Sequence, residues 1–282
     1  VFFAESLGNP KLDVLDLKAI SKAAQIYKVP FIVDNTVATP FLLNPIEYGA
    51  NIVIHSLTKY IGGNGTSLGG VIIDAGNFDW SNGKFPEFTE PSAGYHGLKY
   101  YEVLGAASFI AKVRIEGLRD LGASLSPFNA FQIIQGLETL AIRIKKHSEN
   151  ALELAKWLQK RSEVAWVNYP GLISSKYYDL AQQYLPEGQS GIVTFGLKGG
   201  YEAAKKVADE TQFFSLLANI GDTKSLIIHP ASTTHQQLSE EQQITTGVTK
   251  DLIRLSVGLE DIEDLKADLQ SVFEKLPVQN LV

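Results

Sequence analysis

Residues 51–70 read N-I-V-I-H-S-L-T-K-Y-I-G-G-N-G-T-S-L-G-G, and they set one lysine in an unusual position. The apolar run from Ile52 to Ile54 predicts a buried strand, and Lys59 follows where the chain turns into glycines. Open α/β sheets keep their chemistry at such strand ends. A lysine amine is a useful nucleophile when a pocket holds it neutral and aimed. The alternative is an ordinary solvated lysine, so the other motifs have to decide.

Two hydroxyl groups beside this lysine indicate what it binds. Ser56 and Thr58 stand shortly before Lys59, at the predicted exit from the strand. Hydroxyls and free backbone N–H groups at such an exit bind phosphate. A lysine next to a phosphate site is typical of a phosphorylated carbonyl cofactor that is held as a Schiff base.

Polar residues follow three successive predicted strands. The pattern of strand, helix, strand, crossover and strand over residues 1–56 predicts an α/β fold with a parallel sheet. Asn9 lies after the first strand, Asp34 after the second and Lys59 after the third. The carboxyl ends of parallel strands share one edge, so these side chains can converge on one pocket. Asp34 is open to two interpretations, a helix cap or a carboxylate that keeps a pyridine nitrogen protonated.

The second half of the chain has a different pattern. Helical periodicity extends over residues 100–121 and 129–158, and short strands alternate with helices after residue 163. This predicts a large domain at residues 1–130 and a smaller α+β domain at residues 131–282, with the helix near residues 129–160 as a hinge. Four charged or titratable residues on that helix are expected to form a solvated face: Arg143, Lys145, Lys146 and His147.

Arg254 is unusual because apolar residues surround it. It lies in the segment L-I-R-L-S-V-G of residues 252–258, which predicts a β-like stretch that buries or half-buries the guanidinium. A buried guanidinium needs a carboxylate, which belongs either to a ligand or to an acidic residue in an internal salt bridge. Asn219, in the motif N-I-G-D, also stands out. The spacing of His96, His229 and His235 predicts no metal site.

Composition narrows the function classes. The chain has 282 residues, 45% of them hydrophobic and 20% charged, as in an ordinary two-domain globular protein. A net charge of −6 gives no basic surface for nucleic acid, and the absence of cysteine excludes disulfides and cysteine zinc sites. No apolar run is long enough to span a membrane, and the cytoplasm is the expected location. The opening V-F-F-A-E-S resembles the middle of a buried strand and the chain contains no methionine, so we expect the N-terminal part of the protein to be absent.

Five segments in this order carry a resemblance to a known family. They are E-S-L-G-N-P at residues 5–10, V-D-N-T at 33–36, H-S-L-T-K-Y at 55–60, H-P-A-S-T-T-H at 229–235 and R-L-S-V-G-L-E-D at 254–261. Together they resemble the pyridoxal-phosphate-dependent enzymes of cysteine and methionine metabolism, and the resemblance covers the whole chain. It implies the aspartate aminotransferase fold type I, with a mainly parallel sheet in the large domain and pyridoxal 5'-phosphate as the cofactor.

The resemblance implies a role for each candidate residue. Lys59 would form the Schiff base with the cofactor, and Asp34 would pair with the pyridinium nitrogen. The other implied roles are Ser56 and Thr58 for the phosphate, Asn9 for the phenolic oxygen of the ring, Thr36 for the cofactor pocket, Arg254 for the substrate α-carboxylate and Asn219 for the surroundings of that carboxylate. The implied site contains no metal.

The resemblance also implies an activity and an assembly. The long aromatic stretch of residues 76–97, with G-Y-H-G at its end, resembles the branch that performs γ-replacement on O-acetylhomoserine. Sulfide or methanethiol would then give homocysteine or methionine, with release of acetate. The alternatives are a cystathionine γ-synthase, a cystathionine or methionine γ-lyase, and a catalytically silent scaffold. The family implies a homo-oligomer, a tetramer built from dimers, in which neighbouring subunits lend residues to each site.

Overall fold

Two β-sheets form the framework of the protein in the computed structural model, which describes residues 1–277. The first sheet has the order β1 (Phe2–Glu5), β2 (Phe31–Asp34), β3 (Ile52–Ser56) and β4 (Gly70–Asp74). The first three strands are parallel, and β4 pairs antiparallel with β3. The three parallel strands therefore end at one edge, as the sequence predicts, whereas apolar periodicity carries no information on the direction of β4.

The second sheet contains the C-terminal strands. Its order is β5 (Val164–Asn168), β6 (Ile192–Leu197), β9 (Leu252–Ser256), β8 (Leu226–Ile228) and β7 (Ser215–Leu216). Neighbours are antiparallel except for β7 and β8, which are parallel. Strand β9 carries Arg254, opposite Thr194 of β6 and Ile228 of β8. Arg254 therefore lies in the interior of the second sheet.

Helices pack against these sheets. Their bounds are α1 (Leu17–Tyr27), α2 (Thr39–Leu42), α3 (Pro86–Thr89), α4 (Tyr100–Leu104), α5 (Ser108–Lys112), α6 (Arg119–Leu121), α7 (Pro127–Glu138), α8 (Leu140–Leu158), α9 (Tyr178–Tyr184), α10 (Gly200–Glu210), α11 (Glu240–Thr245) and α12 (Ile262–Phe273). Short 3-10 turns cover Pro45–Tyr48, Ala93–Tyr95, Gly105–Ala107 and Pro230–Ser232. Between residues 1 and 277, no helix has the length and apolar content that crossing a membrane requires.

Local sequence sets the bounds of α1. Asp16 Oδ1 accepts a hydrogen bond from Ala19 N at 3.1 Å and caps the first turn. At the other end Lys28 adopts a left-handed conformation, with Pro30 two residues later. An acidic cap and a nearby proline therefore define the two ends of α1.

Two helical stretches that periodicity predicts as continuous are interrupted. Residues 100–121 break at Gly105, which has φ +50 and ψ −122, and the helix that follows contains a π-helical turn at Val113–Leu118 between α5 and α6. Residues 129–158 break at Thr139, between α7 and α8. Thr139 Oγ1 donates to Gly136 O at 3.2 Å, so a side chain takes up a carbonyl at the end of α7. Apolar periodicity does not detect a bond of this kind.

Helix α8 contributes to two hydrophobic cores. Leu140 and Ile144, near its start, belong to the core that also contains Phe31 of β2. Leu154 and Leu158, near its end, belong to the core formed with β6 and β9. The boundary near residue 130 and the hinge stay predictions, since one helix serves both cores.

The aromatic stretch of residues 76–97 forms a small core of its own. Trp80 and Phe88 are buried there together with Tyr100 and with Ile52 of β3. Trp80 also stacks on Phe109, with the ring centroids 5.3 Å apart. These aromatic side chains therefore pack against the first sheet.

Candidate active site

Lys59 lies in a π-helical turn that begins directly after β3. The turn covers Leu57–Ile61, and Lys59 itself departs from helical geometry with φ −89 and ψ −133. Gly62 N donates to Leu57 O at 2.9 Å, and Gly63 N donates to Lys59 O at 2.8 Å. The lysine is half-buried. The turn thus places its side chain at the edge where the parallel strands end.

Asn219 connects Lys59 to Arg254. Lys59 Nζ donates to Asn219 Oδ1 at 2.5 Å, and Arg254 Nη2 donates to the Asn219 main-chain oxygen at 3.1 Å. Gly221 makes this approach possible, because its φ is +73 and a Cβ there would lie 2.5 Å from Tyr60 N. One short loop therefore holds both the amine and the guanidinium.

Arg254 has polar partners, but no acidic residue between 1 and 277 forms an ion pair with it. Its Nη1 donates to Asn9 Oδ1 at 3.2 Å. Its Nε is buried and has no hydrogen-bond partner in this part of the chain. Burial lowers the pKa of the guanidinium to about 10, which leaves it charged at neutral pH. The internal salt bridge considered above is absent here, and the guanidinium can still take a carboxylate ligand.

Two effects lower the pKa of the Lys59 amine from the ordinary lysine value. Burial is the larger effect, and the positive charge of Arg254 is the second. Both favour the neutral amine, which is the nucleophilic form. The arrangement that holds Lys59 close to Arg254 therefore also prepares it for reaction.

Asp34 and Thr36 organise the exit of β2. Asp34 Oδ1 accepts from Thr36 N at 2.9 Å, which is a local turn contact and caps no helix, because α2 begins at Thr39 with Ala38 as its N-cap. Thr36 Oγ1 accepts from Ser56 N at 2.7 Å and so joins the ends of β2 and β3. Within residues 1–277, no donor reaches Asp34 Oδ2 and the Ser56 hydroxyl makes no hydrogen bond. One carboxylate oxygen and one hydroxyl can therefore serve a ligand.

Thr58 is more engaged with its own chain than Ser56 is. Its Oγ1 accepts from Gly69 N at 3.1 Å and donates to Gly69 O at 3.4 Å. These bonds connect Gly69, at the end of the glycine-rich segment of residues 62–70, to the turn that carries Lys59. The role of Thr58 toward a phosphate stays a prediction.

The charged run of α8 is only partly solvated, so the prediction is wrong for two of its members. Arg143 is 8% exposed and His147 is 0% exposed, whereas the two lysines between them are exposed. The buried pair lies four residues apart, on the face of α8 that carries Leu140, Ile144 and Ala151. That apolar spacing is the signal in the sequence that could have located them. Arg143 reaches the active-site turn, where its Nη1 donates to Tyr60 O at 2.7 Å.

The histidines do not form a metal centre. His229 is held on both sides, with Nδ1 2.8 Å from Ser232 Oγ and Nε2 2.8 Å from Lys250 O. His235 lies near Arg254; burial first, and then the charge of Arg254, lower its pKa. No cluster of His, Asp or Glu side chains in residues 1–277 could hold a metal ion.

Comparison with known proteins matches this geometry to one family. The model of the family described as Cys/Met metabolism PLP-dependent enzyme matches residues 1–274. The chain is 56% identical to an O-acetyl-L-homoserine sulfhydrylase of Leptospira meyeri, over 98% of this chain and 64% of that protein. It is 51% identical to O-acetyl-L-homoserine sulfhydrylase 1 of Thermus thermophilus, over 95% of this chain and 64% of that protein. The chain thus spans less than two thirds of the length of these relatives.

A solved structure agrees with the sequence relatives. It is described as an O-acetylhomoserine (thiol)-lyase from Campylobacter jejuni that contains a pyridoxyl-lysine phosphate. The TM-score is 0.93 at 47% identity, over 96% of this chain and 65% of that chain. The fold class and the cofactor class implied by the five sequence segments are confirmed. The chain belongs to the family of pyridoxal-phosphate-dependent enzymes of cysteine and methionine metabolism.

Proposed function

We propose that the protein containing this chain catalyses γ-replacement on O-acetylhomoserine, with sulfide or methanethiol as the incoming nucleophile. The products are homocysteine or methionine, and acetate. The observation that carries the proposal is that Lys59 Nζ and Arg254 Nη2 both donate hydrogen bonds to the same residue, Asn219. This spacing suits a single amino acid whose amine reacts near Lys59 while its carboxylate binds Arg254. The names of the relatives supply the substrate class.

The side chains at the edge of the first sheet fit pyridoxal phosphate. When bound, this cofactor supplies an aldehyde that reacts with amines and a ring that stores the electrons released from the substrate. Lys59 offers the amine. Asp34 offers a carboxylate whose Oδ2 accepts no hydrogen bond from residues 1–277. The other groups proposed to hold the cofactor are the Ser56 and Thr58 hydroxyls for the phosphate, Asn9 for the phenolic oxygen and Thr36 for the pocket wall.

Lys59 is the proton carrier in this mechanism. Its amine is half-buried and its lowered pKa favours the neutral form, which accepts a proton. The amine would take protons from the substrate α- and β-carbons, which allows acetate to leave from the γ-carbon, and it would return protons to these carbons after the sulfur nucleophile has added at the γ-carbon. The Asn219 side-chain oxygen holds the amine by a hydrogen bond while the substrate enters.

Arg254 and Asp34 are proposed to bind two charged groups, the carboxylate of the substrate and the protonated ring nitrogen of the cofactor. Arg254 would bind the substrate carboxylate through the N–H groups that its bonds to Asn9 and Asn219 do not use, and its buried Nε lacks a partner in the described chain. Asp34 would hold a proton at the ring nitrogen of the bound cofactor and so favour the ring as an electron acceptor. The protein thus contributes positioning and charge stabilisation.

The assay is homocysteine formation by the intact protein from O-acetylhomoserine and sulfide, with pyridoxal phosphate present. We expect turnover with this pair and at least tenfold less product from cystathionine or methionine alone, an order-of-magnitude margin for a specific site. Faster release of product from cystathionine or methionine would assign a γ-lyase instead. Turnover of O-acetylhomoserine with cysteine but not with sulfide would assign a cystathionine γ-synthase.

We also propose a cytoplasmic homo-oligomer, a tetramer built from dimers. The family's place in cysteine and methionine metabolism supports the location. A row of exposed apolar side chains on α6 and α7 supports the assembly; it contains Leu121, Phe128, Phe131 and Ile134. The mass of the intact protein in solution tests the oligomer, and a monomer at micromolar concentration would contradict it.

A further inference from the structure

We propose that Arg143 is a positioning residue: its guanidinium holds the main-chain oxygens of the Lys59 turn and thereby directs the Lys59 amine toward Asn219 and Arg254. The inference rests on the proposed function insofar as Lys59 is the reactive amine. Arg143 touches neither Lys59 Nζ nor Arg254 through a hydrogen bond. It acts on the backbone that carries the amine.

The guanidinium of Arg143 is buried among carbonyl groups. Nη1 donates to Tyr60 O at 2.7 Å, and Nη2 donates to Ile61 O at 3.1 Å and to Gly136 O at 2.6 Å. Nε donates to Thr139 Oγ1 at 3.0 Å. None of these partners carries a charge. Burying a cation among neutral groups is costly, and the hydrogen bonds to these carbonyl oxygens offset part of that cost.

The two carbonyls of the active-site turn need an outside donor. At the end of a helical turn, the last carbonyl groups have no partner within the turn itself. Tyr60 and Ile61 follow Lys59 directly, so fixing their peptide planes fixes the direction in which the Lys59 side chain leaves the backbone. If another side chain donated to these carbonyls with a different geometry, the peptide planes would rotate and the Lys59 side chain would point in a different direction.

Two glycines make room for this contact. A Cβ on Gly63, which has φ +74, would collide with Arg143 Nη1. A Cβ on Gly136 would collide with the main-chain oxygens of Ile61 and Gly62. Helix α7 can therefore approach the turn closely, and Arg143 fits between α7 and the turn.

The same face of α8 also holds the chain that follows β9. His147 Nδ1 donates to Val257 O at 2.6 Å, since a carbonyl can only accept. Asn150 Nδ2 donates to Gly258 O at 3.0 Å and to Glu260 O at 2.9 Å. Arg143, His147 and Asn150 are spaced by four and three residues, so they lie in one row. This row ties the Lys59 turn and the end of the Arg254 strand to one helix, which sets the distance between amine and guanidinium.

The test compares Arg143→Met and Arg143→Lys in the intact protein, with Lys146→Met as a control on the exposed face of α8. After removal of the cofactor, pyridoxal phosphate is added back, and the rate of its attachment to Lys59 is followed by absorbance without substrate. Steady-state kinetics with O-acetylhomoserine and sulfide are measured alongside, together with the melting temperature.

We expect Arg143→Met to slow attachment and kcat by about 100-fold, the order of magnitude for a misplacement of about 1 Å. KM for O-acetylhomoserine should change by less than about threefold, because the Arg254 contacts remain. Arg143→Lys, which keeps the charge and reaches one carbonyl, should lie between Arg143→Met and the parent. Lys146→Met should match the parent.

An attachment rate and kcat within about threefold of the parent in Arg143→Met would overturn the proposal, whatever the melting temperature. If Arg143→Met does not fold, Arg143→Lys decides by the same criterion. If Arg143→Lys also fails to fold, Arg143 is a stability residue and the proposal fails. The attachment rate needs no substrate, so it gives a result even if O-acetylhomoserine is not turned over and the proposed function is wrong.

Discussion

Lys59 Nζ donates a hydrogen bond to Asn219 Oδ1 at 2.5 Å, although the two residues are 160 positions apart in the chain. The bond joins the carboxyl edge of the first sheet to the loop that precedes β8. The main-chain oxygen of the same asparagine accepts from Arg254. An amino acid that binds here would meet the reactive amine and a carboxylate-binding cation together.

Asp34→Asn tests the charge at the ring nitrogen. The amide oxygen can still accept from Thr36 N, so the turn and the fold should persist. A neutral amide cannot hold a proton at the ring nitrogen, so kcat should fall by at least about tenfold while cofactor content stays near that of the parent.

Asp74→Asn is the matched control for Asp34→Asn, because Asp74 Oδ1 accepts from Gly76 N at 2.9 Å at the end of β4. It should keep the parental rate. If kcat of the Asp34 variant stays within about threefold of the parent, Asp34 serves only the turn.

Arg254→Lys tests carboxylate binding. Lysine keeps the charge but loses the planar fork that matches a carboxylate with two parallel hydrogen bonds. We expect kcat/KM for O-acetylhomoserine to fall roughly 30-fold, which corresponds to about 2 kcal/mol of lost transition-state stabilisation, with cofactor affinity nearly unchanged. Arg161→Lys is the control, since Arg161 contacts Gln270 on α12. Unchanged kcat/KM in Arg254→Lys would place Arg254 outside substrate binding.

His147 should make stability depend on pH. Burial lowers its pKa from 6.5 to about 4. As pH falls below 6.5 the unfolded chain takes up a proton that the folded protein refuses until about pH 4, so the free energy of unfolding decreases over this interval. The total loss from this residue is about 3 kcal/mol.

Urea unfolding of the parent and of His147→Gln near pH 7 and near pH 5 measures this effect. Between pH 7 and pH 5, the free energy of unfolding should decrease by about 2 kcal/mol less in His147→Gln than in the parent. His96→Gln, at an exposed position, should decline like the parent. Equal declines for the parent and His147→Gln would show that His147 does not cause the pH dependence.

Much of the first half of the chain could be predicted from the sequence. Strand periodicity and turn residues gave the three parallel strands, and with them the common edge that carries Lys59. The resemblance supplied Asn219 and the role of Arg254, and the structure brings both to Lys59. Asn9 reaches this group through Arg254, while its contact with a cofactor ring stays a prediction.

Arg143 shows why the rest escaped prediction. Two lysines and a histidine follow it within four residues, so local charge favours a solvated face, yet two of its partners are carbonyl groups more than 80 positions away. The π-helical turn at Lys59 and the break at Thr139 likewise involve individual hydrogen bonds, such as those from Gly62 N to Leu57 O and from Thr139 Oγ1 to Gly136 O. Periodicity records which face is apolar and carries no information on such partners.

The most direct test of the account is to identify the lysine that carries the cofactor. The intact protein is loaded with pyridoxal phosphate, reduced with borohydride, digested and mapped by mass spectrometry, beside a Lys59→Ala variant. We expect the pyridoxyl group on Lys59 in the parent, and neither specific labelling nor turnover in the variant. Labelling of a different lysine in the parent, or turnover by Lys59→Ala near the parental rate, would contradict the account.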